Sequence, residues 1–257
     1  MNNKKIGIFD SGVGGLTVLR ELKNICPNES FMYIGDTKNL PYGTKTKDEL
    51  FKITSKIFDF YKLENVKAVV MACNTTSAVV WGDLKSNYDF PIYPLSQTVC
   101  KYFNSLNIAK IGIFATLATV NSNVYQKSLN AKTCAIAPVE WVEIVESDSA
   151  KTAEAQENIK KYCVQMQEFV PEKIILGCTH YPYLLDELKK YFDEKSLINP
   201  ARIFAQAVKE DLEKKNLLIN QNKIQEDEFF VTGSPEQFLH NAKQFYEVKT
   251  RPQVIEM

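Results

Sequence analysis

KIGIF occupies residues 5–9, and the same five letters return at 110–114, 105 positions later. The pentapeptide alone is generic strand sequence. The same shift, however, carries Cys73 of VVMACNTTS (69–77) onto Cys178 of IILGCTH (174–180), Asn74 onto Thr179 and Thr75 onto His180. Two matches at one offset, with no slippage between them, read as two structurally similar halves. In each half an apolar strand runs into a small-residue turn, DSGVGG (10–15) or ATLAT (115–119). A helical stretch follows, LTVLRELKNI (16–25) or NSNVYQKSL (121–129), then a continuous apolar strand, KAVVMAC (67–73) or EKIILGC (172–178), and another helix. This alternation predicts an α/β protein of two pseudo-symmetric halves, with mostly parallel sheets covered on both faces. Ligands of such sheets bind beyond the carboxyl ends of the strands. Asp10, Cys73, Thr116 and Cys178 all follow strand ends, so two such edges are expected to face one cleft.

Beyond residue 200 the pattern leaves the repeat. A helix (ARIFAQAVKEDLEKKNLL, 201–218), a polar linker (INQNKIQEDE, 219–228), a strand (FFVTG, 229–233) and a helix (SPEQFLHNAKQFY, 234–246) have no partner in it. This tail is expected to return to the first half. The domains then read as 1–97 plus 207–257, and 98–206. The last residues, KTRPQVIEM (249–257), read as a short surface tail.

Composition narrows the function. The 257 residues carry 31 Lys+Arg and 31 Asp+Glu, so neither a basic stripe for nucleic acid nor an acidic tail is indicated. Neither a signal peptide nor an apolar run near 18 residues is read, which points away from the membrane and to the cytoplasm. Six cysteines without CxxC spacing read as free thiols of a reducing compartment, and no paired spacing suggests a metal site. DSGVGG is neither GxGxxG nor followed by GK[ST], so it reads as a turn whose glycines let backbone amides approach an anion rather than as a nucleotide loop. The alternative for Asp10 there is a plain N-cap. PYG (41–43) could be an ordinary surface turn, and His180 a packing or capping histidine.

Cys73 and Cys178 carry the strongest signal. A hydrolase needs one cysteine with a base, and a metal site needs converging ligands; neither needs a cysteine at the equivalent place of each half. Two thiols on opposite walls of a cleft suit the inversion of a stereocentre, one thiolate removing a proton from one face and the other thiol returning a proton to the opposite face. A free thiol with a pKa of about 8.5 needs neighbours to tune it. His180 is placed to assist Cys178, and Asp10 to assist Cys73.

At these residues the chain resembles the glutamate racemases of the cofactor-independent aspartate/glutamate racemase family. IFDSGVGGLTVLREL (8–22), YIGDTKNLPYGTK (33–45), ACNTTSA (72–78), GIFATLATVNSNVY (112–125) and LGCTHYPYL (176–184) match in order along nearly the whole chain. The resemblance implies two Rossmann-like/flavodoxin-like domains with the active site between them, and a homodimer. It also implies interconversion of L- and D-glutamate without cofactor or metal, supplying peptidoglycan synthesis. Carried over, it gives Cys73 and Cys178 the catalytic thiols, with Asp10 and His180 as their assistants. It gives substrate contacts to Asp10–Ser11, to Pro41, Tyr42 and Gly43, to Asn74–Thr75, and to Thr179–His180, with Thr116 a further candidate. Glu146 in EWVEIVESD (140–148) is the auxiliary candidate. Three segments depart from the family pattern: LSQTV (95–99) stands where a Glu-Pro-Gly-like turn is frequent, Glu143 where proline is usual, and Ser234 where aspartate is frequent. The competing readings are a racemase for aspartate or another amino acid, a non-catalytic dicarboxylate-binding protein, and a single-cysteine amidohydrolase or decarboxylase.

Overall fold

Apolar runs become strands, and the central ones are buried on both faces. In the computed structural model, which describes residues 3–219 and 226–257, these are β1 Ile6–Asp10, β2 Phe31–Gly35, β3 Ala68–Met71, β4 Ile92–Pro94, β5 Lys110–Ala115, β6 Lys132–Ile136, β7 Lys173–Gly177, β8 Leu197–Ile198, β9 Glu228–Val231 and β10 Gln253–Val254. They form two sheets, ordered β10-β9-β2-β1-β3-β4 and β6-β5-β7-β8, and the pairings are parallel. Every residue of β1 and β3 is buried, as expected where helices cover both faces of a parallel sheet.

The offset of 105 survives in the ladders. Ile6 pairs with Ala68 and Ile111 with Lys173; Val69 pairs with Ile92 and Ile174 with Leu197. The repeated glycine has a packing reason. A Cβ on Gly7 would lie 2.8 Å from the Tyr61 ring, and one on Gly112 would lie 2.6 Å from Met166 Sδ. Tyr61 and Met166 are themselves 105 positions apart, on the helices Lys47–Leu63 and Ala153–Gln167. Both helices start at a threonine cap: Thr46 accepts from Glu49 N, and Thr152 from Ala155 N. The shared letters thus record a shared strand–helix contact.

The tail returns to the first sheet, with β9 pairing with β2. Residues 220–225 of the expected linker lie outside the described residues. Three expectations need correction. The end of the chain is not only a surface tail, because Gln253–Val254 adds an edge strand to β9. ATLAT is not simply a turn: a helix, Leu117–Ser122, begins inside it with Thr116 as N-cap. The NSNVYQKSL helix is broken at Asn123, whose φ of 56° is a left-handed conformation that asparagine tolerates. The chain passes between the sheets through helices, Leu95–Asn104 and Ala201–Lys214. Among the described residues no helix is long and apolar enough to cross a membrane.

Candidate active site

The carboxyl ends of β1, β3, β5 and β7 meet at one cavity of about 90 Å³. At roughly 10–15 Å³ per water-sized group, that holds a small molecule of several heavy atoms and not a dinucleotide. The first half contributes Ser11 after β1, the segment Leu40–Thr44, and Cys73, Asn74 and Thr75 after β3. The second half contributes Thr116 and Leu117 after β5, Val139 and Val142, and Cys178–Tyr181 after β7. Of the residues singled out in the sequence, Asp10 and Glu146 stand behind this lining, and the others are part of it.

Both thiols are buried, Cys73 at 4% exposure and Cys178 at 6%. Their surroundings differ. Cys73 Sγ lies 3.9 Å from Ser11 Oγ. Burial pushes its pKa up to about 11, helped by the Asp10 carboxylate; hydrogen bonds from Thr76 and Ser11 work the other way. Cys178 Sγ lies 3.8 Å from His180 Nδ1, and His180 Nε2 is 3.0 Å from Glu146 Oε1. Burial alone would lower the His180 pKa, but the interactions with Cys178 and Glu146 outweigh it and hold the imidazole up at about 10. At neutral pH His180 is therefore an imidazolium with one N–H towards Glu146 and one towards the sulfur.

Asp10 is not the mirror image of His180. It is fully buried, accepts from Gly12 N at 3.0 Å through Oδ2, and accepts from Thr179 Oγ1 at 3.4 Å through Oδ1. Burial raises its pKa, against the pull of the His180 charge and of hydrogen bonds from Gly12, Gly15 and Thr179. An ionised Asp10 disfavours a thiolate at Cys73, so direct help from it requires proton transfer rather than charge. The repeat explains the asymmetry: shifted by 105, Asp10 falls on Ala115 and His180 on Thr75, so the two residues occupy non-equivalent places.

Polar links cross between the halves. Thr75 Oγ1 and Thr116 Oγ1 are 2.9 Å apart, Thr116 Oγ1 is 3.0 Å from Thr119 Oγ1, and Tyr125 OH donates to Asn74 Oδ1 at 2.8 Å. That last bond consumes the acceptor of Asn74. Among the described residues its buried Nδ2 has no partner, which leaves a donor at the cavity. Tyr42 lines the cavity with its hydroxyl turned away, donating to Asp36 Oδ2. A Cβ on Gly14 would lie 2.3 Å from Thr179 Oγ1, so the DSGVGG turn presses its backbone against the opposite wall.

Sequence reasoning passed over Thr76, Thr119, Tyr125 and Asp36. All four stand in segments already quoted, Asp36 in YIGDTKNLPYGTK, Thr76 in ACNTTSA, and Thr119 and Tyr125 in GIFATLATVNSNVY, where their neighbours drew the attention. Among the described residues the lining holds no Lys or Arg, so an anion there would be met by amides, hydroxyls and the Asn74 amide. Among the described residues no three His, Cys, Asp or Glu side chains are grouped to hold a metal ion.

Comparison with known proteins places this geometry. The profile of the Asp/Glu/Hydantoin racemase family matches residues 6–208. The glutamate racemase of Carboxydothermus hydrogenoformans is 39% identical over 248 residues, 94% of this chain and 91% of that one. The crystal structure of a glutamate racemase isoform from Bacillus anthracis superposes with a TM-score of 0.94 at 29% identity, covering 100% of this chain and 99% of that one. That of Francisella tularensis glutamate racemase in complex with D-glutamate gives 0.92 at 29% identity, covering 100% and 98%. The chain, with its two parallel sheets and paired strand-end cysteines, belongs to the Asp/Glu/Hydantoin racemase family.

Proposed function

We propose that this chain is a glutamate racemase that moves the Cα proton between Cys73 and Cys178. The observation that carries the reading is the pair of buried thiols at equivalent places of the repeat, both lining one small cavity. A thiolate on one wall takes the Cα proton, leaving the electron pair on Cα and the substrate carboxylate. The thiol on the other wall protonates the opposite face and becomes the thiolate. The reverse reaction exchanges the roles.

With the thiol held at about 11, ionising Cys73 at pH 7 costs about 5 kcal/mol. The substrate offsets this itself: an ammonium about 4 Å from the sulfur is worth on the order of 4 kcal/mol at an effective dielectric constant of 20. On the other wall the imidazolium of His180 supplies a proton beside Cys178. Asn74 Nδ2 and the hydroxyls of Ser11, Thr75, Thr116 and Thr179 are suited to the carboxylates. The proposal extends to a cofactor-independent homodimer in the cytoplasm, providing D-glutamate for peptidoglycan synthesis.

The test is incubation with L- or D-glutamate in D₂O, followed by chiral chromatography and mass spectrometry. Each enantiomer gains deuterium at Cα as it inverts, and Cys73→Ala and Cys178→Ala each abolish inversion. Near-normal racemisation by either single variant refutes the two-thiol mechanism. Inversion of L-aspartate in preference to glutamate refutes the substrate assignment.

A further inference from the structure

Asp36 follows β2 and is fully buried, and its backbone N donates to Asp10 O at 3.1 Å. Among the described residues its carboxylate forms no ion pair. Neutral donors hold it instead: Thr232 Oγ1 at 2.5 Å on Oδ1, Asn39 Nδ2 at 2.9 and 3.0 Å, and the Tyr42 hydroxyl on Oδ2. Burying a carboxylate without a counter-ion is costly, and a fold staple does not need a charge. The donors come from separate segments. Tyr42 belongs to the cavity wall, and Thr232 follows β9 in the tail, the part of the chain outside the repeat. Thr232 Oγ1 also accepts from Lys38 N at 3.1 Å, tying the tail to the start of the same loop.

We propose that Asp36 is a positioning residue of the active site, fixing the Leu40–Thr44 wall through the hydroxyls of Tyr42 and Thr232. This wall has no slack on its far side, since a Cβ on Gly43 would already lie 3.0 Å from Thr116 Cβ in the other half. The tail strand thereby sets the width of a cavity to which its own side chains contribute nothing. A misplacement of about 1 Å at such a wall is enough to change substrate binding. The YIGDTKNLPYG and FFVTG segments, 196 positions apart at Asp36 and Thr232, act as one device.

The kinetic part of this inference rests on the racemase reading; the structural part does not. Tyr42→Phe keeps the ring and removes only the hydroxyl, and Asp36→Asn removes the charge. Each is expected to raise KM for D-glutamate about tenfold, the scale of one lost hydrogen bond to a charged group, with kcat within about threefold of the parent. Because Asp36 acts through Tyr42, the double variant should be no worse than the weaker single one. Thr232→Val should reproduce the defect, and Thr232→Ser, which keeps the hydroxyl, should not. In all but Thr232→Ser, amide exchange at Lys45, whose N–H bonds Tyr42 O, should accelerate at temperatures well below unfolding. An unchanged KM, additive single effects, or a loss that tracks only the melting temperature overturns the proposal. If the parent protein does not racemise glutamate, the racemase reading fails, and amide exchange over residues 42–45 still decides the role of Asp36.

Discussion

Replacing Glu146 with Gln removes the charge behind His180 and should bring that imidazole into the physiological pH range. The two groups are 3.0 Å apart at Nε2 and Oε1, and the Glu146 side chain is 25% exposed. With charge centres about 4 Å apart and an effective dielectric constant of about 20, the carboxylate is worth on the order of 4 kcal/mol to the imidazolium. Solvent at the exposed quarter screens this to no less than about 2 kcal/mol. At 1.36 kcal/mol per unit, the His180 pKa should drop by about 1.5–3 units from its value of about 10, to between about 7 and 8.5. The sign for stability follows. A raised histidine pKa stabilises the fold fully below the unfolded value of about 6.5, and this is lost as pH rises through the folded value. In the parent the loss is spread up to about pH 10; in Glu146→Gln it is complete by about 7–8.5. Racemisation in the direction that draws a proton from His180 should fall above the new pKa in the variant and hold in the parent. Imidazole carbon and nitrogen shifts followed against pH measure this directly. The chain has only two histidines, and His180→Asn identifies the signal. A parent His180 that titrates below pH 8, or a variant within half a unit of the parent, refutes the argument.

Asn74→Asp keeps the acceptor for Tyr125 OH and turns the unpartnered donor into a second acceptor; KM for glutamate should rise about 10- to 100-fold in steady-state assays, the scale of a lost bond to a charged group. Gly14→Ala puts a methyl 2.3 Å from Thr179 Oγ1 and 2.9 Å from His180 Nδ1, so kcat/KM should fall more than about tenfold and the overpacking should cost about 1–3 kcal/mol in denaturant unfolding. Trp141→Ala empties a fully buried site packed against Phe114 and Tyr181, and denaturant unfolding should show a loss of about 3–5 kcal/mol.

The sequence showed most where a residue's partner is fixed by strand or helix periodicity. The 105-residue shift located both strand-end cysteines, and the structure carries it into the ladder registers and the Gly7–Tyr61 and Gly112–Met166 contacts. It was less informative where the two halves diverge. His180 was readable because it sits two positions from Cys178 and shares its strand end. Glu146 came only from the family resemblance, since a helix 34 residues earlier in the chain brings it to Nε2. The break at Asn123 was missed because NSNVYQKSL has an acceptable helical composition, and one left-handed residue leaves little trace in a pattern of apolar positions.

By itself, then, the sequence determined the two-fold plan, the parallel sheets and the paired thiols, because these follow from apolar runs, turn residues and a repeat, all of which are local signals. Only the tertiary structure decided that Ser11 Oγ lies 3.9 Å from the Cys73 sulfur, that Tyr125 occupies the acceptor of Asn74, and that Tyr42 is tethered to Asp36 and through it to Thr232. These are contacts of single polar atoms between segments far apart in the chain. Their geometry depends on how two sheets and a returning tail are packed, and periodicity along the chain does not encode it.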